Sequence, residues 1–316
     1  MTTINSVLGE IDSKDLGFTL MHEHVMVAAS GLSTHYPDLL GPNREQRAIE
    51  CLKKAKAHGI DTMLDATTFD LGRDPALLQT VAAASGVNLI NVTGWWLDVP
   101  RFMHGVGANQ MADEFIKDLT EGFRGTNIKA GMLKCAADFE GVTPPLETMA
   151  RAVARAHLQT GVPIMVHSYP TGHVARRQIA IFKEEGVDLG KVKIDHSNDT
   201  TDTEYLKWIL DQGCFLGLDR YPGRLVSPHM RTRTLKTLMD MGYGERLCPS
   251  HDCICLHIHN EQPDGSIAAQ HDFQKSNPDQ YLYMHRHVIP ELHALGATEQ
   301  DVEMLFIDNP RRLFEA

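Results

Sequence analysis

The chain has 316 residues, with 42% hydrophobic and 22% charged side chains, the proportions of a globular protein with a substantial core and not of a disordered or fibrous one. A formal net charge of −11 argues against nucleic acid and anionic membranes as partners, because their phosphates would repel it. No apolar run reaches bilayer-spanning length, the first ten residues lack the basic-then-apolar pattern of a secretory signal, and six scattered cysteines read as reduced thiols, so a cytoplasmic protein is expected.

In chain order, residues 3–20 read as a hairpin that turns at Asp12-Ser13-Lys14-Asp15 and runs into a first strand closing on His22-Glu23-His24. With a side-chain period of two, His22 and His24 share one face of that strand and Glu23 takes the other. A loop to Pro42 leads into a helix over 44–58, ended by Gly59, and then a strand over 60–67. Asp74-Pro75 reads as an N-cap with proline at the first helical position, opening a helix that stops at Ser85-Gly86. A strand over 88–94, a helix over 110–123 and a strand over 128–134 follow. The alternation continues with helices over 146–160, 173–185, 202–211 and 230–241, each followed by a strand, over 162–167, 192–196, 214–219 and 246–252. Eight strand–helix units without a linker-like break predict one domain over 1–316, a (β/α)8 TIM barrel with a short N-terminal hairpin and a long loop after the eighth strand. A doubly wound open sheet is the alternative, but the Gly-x-Gly-x-x-Gly that often marks it is missing after the first strand. The polar loop, residues 256–280, is of the kind that serves function.

Polar residues recur where these apolar strands stop: His22 and His24 on the first, Lys134 on the fourth, His167 on the fifth, His196 on the sixth and Asp252 on the eighth. In a parallel barrel those ends converge on one rim. Four imidazoles and a carboxylate are nitrogen and oxygen donors suited to zinc and similar divalent ions. A lysine buried beside two cations loses its proton to desolvation and like charge. The neutral amine can then take up carbon dioxide as a carbamate, in effect a bridging carboxylate; alternatively the lysine neutralises a neighbouring acid. Cys253-x-Cys255 lacks the second cysteine pair that a thiolate metal site would use.

The stretches Phe18-Thr-Leu-Met-His-Glu-His24, Lys129-Ala-Gly-Met-Leu-Lys134, Ile194-Asp-His-Ser-Asn-Asp-Thr200, Gly217-Leu-Asp-Arg-Tyr221 and Ser250-His-Asp252 resemble the phosphotriesterase family of the amidohydrolase superfamily, as does the ending Asp308-Asn-Pro-Arg-Arg-Leu-Phe314. That resemblance spans essentially the whole chain. It implies a binuclear metal hydrolase acting on ester bonds, with His22, His24 and Asp252 on a buried ion, His167 and His196 on an exposed one, and carboxylated Lys134 bridging both together with a hydroxide. The ions would be zinc foremost, with cobalt, manganese or iron as alternatives, and carbon dioxide would be consumed by the lysine. Gly217-Leu-Asp-Arg220-Tyr221 is similar to the phosphotriesterase-like lactonases, whereas dedicated organophosphate hydrolases carry histidine in place of Arg220. The reading is therefore a lactonase in which the bridging hydroxide attacks the carbonyl carbon and Asp252 passes the proton to the leaving alkoxide. Arg220, Trp96 and Tyr221 would meet the substrate, although Arg220 could equally stabilise Asp219 or form a structural ion pair. Phosphotriesterase or carboxylesterase activity is the alternative within enzymes, and a non-catalytic metal- or ligand-binding protein the alternative outside them.

Three departures from the lactonase pattern bear on the substrate: Pro222-Gly-Arg224 replaces Gly-Leu-Asp, Trp96 stands where many relatives have tyrosine, and the loop after Asp252 is unusually polar. That loop, with Arg224, His229 and Arg231, would supply donors and positive charge and favour short or hydrophilic lactones, while Trp95 and Trp96 could wall the opposite side. His251 is expected to point away from the site. The resemblance and the Trp95-Trp96 pair together suggest a homodimer acting on a small molecule.

Overall fold

The computed structural model describes residues 2–223, 225–257, 259–261, 267–269 and 277–316. Arg224 and much of the polar loop on which the substrate expectation rests lie outside the described residues. The N-terminal hairpin pairs β1 (Thr3–Ser6) with β2 (Gly9–Asp12), and Ser6 faces Gly9, so the chain reverses at Val7-Leu8 and not at the polar cluster downstream. That cluster has another use: the Asp12 side chain accepts from the Lys14 N–H and caps a 3-10 turn over Ser13–Asp15.

A parallel sheet follows, built from β3 (Thr19–Met26), β4 (Thr62–Asp65), β5 (Asn88–Gly94), β6 (Met132–Ala136), β7 (Ile164–His167), β8 (Val192–Asp195), β9 (Phe215–Leu218), β10 (Leu247–Pro249) and β11 (Ile254–Leu256). From β3 to β10 each strand pairs with the next in sequence, with helices between them. The eighth strand is split. Its first half, β10, pairs with β9 through Leu247 and Leu216, and its second half, β11, pairs with β3 through Ile254 and His24. Residues 250–253 cross from one neighbour to the other, bonded by the Asp252 N–H to the His22 carbonyl at 3.0 Å and the His24 N–H to the Cys253 carbonyl at 2.9 Å. The sheet is thereby closed into the (β/α)8 barrel, but over 247–256 and not as one continuous strand over 246–252.

Most helices lie within two or three residues of their expected bounds. The fourth begins at Pro144, because two prolines after the Thr143 N-cap suit a first helical turn that needs no N–H donors. The strand expected over 128–134 lies downstream at Met132–Ala136, which puts Lys134 in mid-strand instead of at its end. Inside the barrel, Met21, Leu64, Ile90, Val92, Met132, Met165 and Phe215 form an apolar column that Leu313 and Phe314 of the last helix join. A second, larger core lies between the strands and the helices. Among the described residues no helix is long and apolar enough to cross a membrane.

Candidate metal centre

All eight residues of β3 are buried, and its pairing register slips between Leu20 and Glu23, an irregularity of the kind that re-aims a side chain. His24 Nδ1 lies 2.8 Å from the Thr67 hydroxyl, which itself donates to the Met26 carbonyl, so the ring proton sits on Nδ1. That leaves His24 Nε2 bare and 3.2 Å from Asp252 Oδ1. His22 Nε2 is 3.5 Å from the same oxygen, and its Nδ1 lies 3.1 Å from both Asp219 Oδ2 and Asp195 Oδ2. Two imidazole nitrogens and a carboxylate oxygen thus converge from the first and eighth strands.

A second convergence lies beside the first. His196 gives its backbone N–H and Nδ1–H to Asp219 Oδ1, at 2.8 and 2.9 Å, and turns Nε2 toward His167 Nδ1 at 2.7 Å. Because His167 Nε2 is engaged by Asp138 Oδ2 at 3.1 Å, the two facing nitrogens each present a lone pair. Facing lone pairs repel; the Trp96 indole N–H, 3.2 Å from His167 Nδ1, offsets this for one of them, and a divalent ion between the two nitrogens would serve both. Burial depresses His167 to about 4 and holds His196, which also feels Arg220, well below its ordinary value. His22 behaves oppositely: burial disfavours its charged form, but Asp219 and Asp195 outweigh burial and push it up to about 9. An ion at His22 would therefore displace a proton.

Two groups of three described side chains have the spacing to hold an ion, His22–His24–Asp252 and His22–His196–Asp219. In the second, the Nδ1 atoms of both histidines already hydrogen-bond Asp219, so its closeness needs no ion. Asp219 therefore orients two of the histidines, His22 and His196, as carboxylates do around histidines that bind metals. Both orienting carboxylates fit because residue 217 is glycine; a Cβ there would overlap Asp195 and Asp219.

The two buried lysines contrast. Lys134, 1% exposed, donates to the Ala66 carbonyl at 2.8 Å, and burial pulls it below its ordinary value, toward the neutral amine. Its charge acts on His22, His24 and His167, which puts it within electrostatic reach of all three. Lys193 is just as buried, but Asp195 and Asp219 outweigh the burial and raise it, keeping it an ammonium ion.

At the rim, Trp96 points its indole N–H at His167 Nδ1, 3.2 Å away, while Asp70 holds its backbone N–H. Trp95 turns the other way and packs edge-on against Phe115, so the expected double-tryptophan wall is a single indole. Arg220 does not bind Asp219. Its Nε bonds Asp252 Oδ2 at 3.2 Å and its Nη1 bonds Asp199. Tyr221, 2% exposed, belongs to the core behind the site. Arg231 is likewise buried, bonded to Asp199 and the carbonyls of Asn198 and Val226 in space that Gly223 leaves open, so it supplies no charge to the rim. His229 pairs with Glu291. His251 faces away from the site, buried against Glu23.

Sequence reasoning missed Asp138, Asp195, Lys193 and the orienting role of Asp219. Asp219 carried a signal, since it too stands where an apolar strand stops.

The chain matches the Phosphotriesterase family over residues 2–314. It is 37% identical to the phosphotriesterase homology protein of Mycobacterium tuberculosis, with 100% of this chain and 98% of that protein aligned. It is also 37% identical to the aryldialkylphosphatase of Saccharolobus solfataricus, with 96% of each covered. A solved structure of the phosphotriesterase from Mycobacterium tuberculosis superposes with a TM-score of 0.91 at 36% identity, over 99% of this chain and 98% of that one. With the barrel, the converging histidines and full-length similarity in agreement, the chain belongs to the phosphotriesterase family.

Proposed function

We propose that the protein is a binuclear metal hydrolase of small-molecule esters, with lactones as its preferred substrates. The observation that carries this reading is the convergence of His22 Nε2 and His24 Nε2 on Asp252 Oδ1, beside the facing nitrogens of His167 and His196. His22, His24 and Asp252 would hold one ion, His167 and His196 the other, and Lys134, as its carbamate, both. Such a pair, zinc foremost, lowers the pKa of bound water toward about 7 and polarises a carbonyl or phosphoryl oxygen.

The remaining work falls to the protein's own groups. Asp252 offers one oxygen to the histidines and keeps the other on Arg220, so it is placed to take a proton from the attacking water and return it to the leaving oxygen. Arg220 is anchored by Asp199, itself held by Arg231, which fixes the direction from which it meets Asp252. Trp96 gives its indole N–H to His167 Nδ1 and stands its ring nearly perpendicular to that imidazole. Tyr221 is buried in the core, so no substrate contact is assigned to it.

Arg220 in this motif favours lactones. The similarity to an aryldialkylphosphatase favours organophosphate triesters as the second reading. Loading the protein with zinc and assaying alkyl lactones, open esters, amides and a paraoxon-like triester side by side decides between them. Lactone turnover well above the rest supports the first reading, and triester turnover well above lactone supports the second.

A further inference from the structure

We propose that Glu23, the residue between His22 and His24, is the positioning residue for Asp252. This rests on the reading of Asp252 as ligand and base, and it adds the element that aims it.

Glu23 is 1% exposed and turned away from the histidines that flank it. Its Oε1 accepts from the Ser250 hydroxyl at 2.7 Å, the His251 backbone N–H at 2.9 Å and His251 Nδ1 at 2.6 Å, and its Oε2 accepts from the Cys253 N–H at 3.0 Å. His251 Nε2 accepts from the Met284 N–H at 3.0 Å, which places the ring proton on Nδ1 and makes that nitrogen a donor. Ser250 passes the clamp back to the first strand, since its hydroxyl oxygen accepts from the His22 N–H at 3.1 Å. Three of the four residues at the split in the eighth strand are therefore tied to one carboxylate. The fourth, Asp252, gives its N–H to the strand that carries Glu23.

Asp252 needs this restraint. Its φ of +53° is in the left-handed region, uncommon for a residue with a Cβ and retained where the surroundings over-determine it. That conformation directs its carboxylate at the Nε2 atoms of His22 and His24. Both oxygens of Glu23 are occupied and shielded from the cleft, so Glu23 touches no reacting atom and acts through Asp252. The alternation His-Glu-His thereby serves two faces of one strand: outer positions donate to the site, and the middle one holds the base facing them.

The test compares Glu23→Gln, Ser250→Ala and Asp252→Asn, each loaded with Co²⁺, by visible absorption, metal content, melting temperature and turnover of an alkyl γ-lactone. Glutamine sets an amide donor against groups that are already donors. Glu23→Gln should keep its metal and melt cooperatively, show an altered cobalt band, and lose about 10- to 100-fold in kcat with KM within a few-fold. Ser250→Ala, which removes one of the four donors, should move band and kcat the same way by less. A wild-type band and kcat in Glu23→Gln, beside an impaired Asp252→Asn, would overturn the inference and spare the reading of Asp252. If Glu23→Gln does not fold, an unchanged band and kcat in Ser250→Ala overturns it equally. A silent Asp252→Asn would bring down both.

Discussion

Replacing Asp219 with asparagine tests whether the orienting carboxylate matters as much as the ligands it orients. Asp219 is fully buried and accepts three hydrogen bonds, from His196 N–H at 2.8 Å, His196 Nδ1 at 2.9 Å and His22 Nδ1 at 3.1 Å. Asparagine keeps one oxygen, enough for the two His196 donors. Its amide then faces His22 Nδ1 and favours that nitrogen as an acceptor, leaving Asp195 alone to keep the ring proton off Nε2, the nitrogen turned toward Asp252. A hydrogen bond to a charged group is worth about 1.5–3 kcal/mol, and about 1.4 kcal/mol is tenfold in an equilibrium constant. The ion at His22 and His24 should therefore bind about 10- to 150-fold more weakly, while the ion at His167 and His196 changes less. Competition with a chromophoric chelator, titrated through both zinc equivalents, resolves the two Kd values. Asp195 Oδ2 lies at the same 3.1 Å from His22 Nδ1, so Asp195→Asn belongs in the experiment. If Asp219→Asn leaves both Kd values within about twofold of the wild type, the orienting role assigned to it is wrong.

Asp252→Asn should cut turnover by about 10²–10⁴ while losing less metal, since the amide keeps a donor oxygen but no base; steady-state kinetics beside elemental analysis checks both. Purified protein should carry close to two divalent ions per chain, and activity lost in Lys134→Ala should return in part with short carboxylic acids; one ion per chain, unaffected by the substitution, would exclude the bridge. Lys193→Met leaves Asp195 and Asp219 without their buried counter-charge and should cost about 3–5 kcal/mol in denaturant unfolding, most of it recovered in Lys193→Met with Asp195→Leu. Burial against Phe18 holds His285 at about 4, below its ordinary 6.5. A depressed folded pKa gives stability that is complete above about pH 6.5 and drains away as the pH falls through 4, because the unfolded chain takes the proton first. His285→Leu should flatten that part of the wild-type curve, as read by melting temperature against pH.

The histidines were legible because each marks a local change from apolar run to polar residue, and the period of two places His22 and His24 together, although the first strand runs on to Met26 and holds them in its interior instead of at its end. What escaped was non-local. The eighth strand reads as one segment over 246–252, and only pairing with β3, more than 200 positions earlier, divides it between β9 and β3. Trp95 and Trp96 look alike in sequence, yet the strand end sends one into the helix layer and the other to His167. Arg231 looked like surface charge, and its burial depends on Asp199 and on the missing side chain of Gly223. Arg220 was read with its neighbour Asp219, whereas its guanidinium reaches Asp199 and Asp252. Asp138 stands in a loop with no periodicity to single it out, and only its contact with His167 reveals it.

The split strand also governs how the chain is made. While residues 247–256 are still to be synthesised, β3 and β9 each present an open row of backbone donors and acceptors, the edges that invite pairing with another chain. One short segment closes both, β10 covering β9 and β11 covering β3, and Asp252 lies between those two halves. Removal of the aggregation-prone edges and arrival of the last proposed ligand are therefore the same event in biogenesis. A lesion in this segment should appear in the cell first as insoluble protein, before any deficit in activity can be measured.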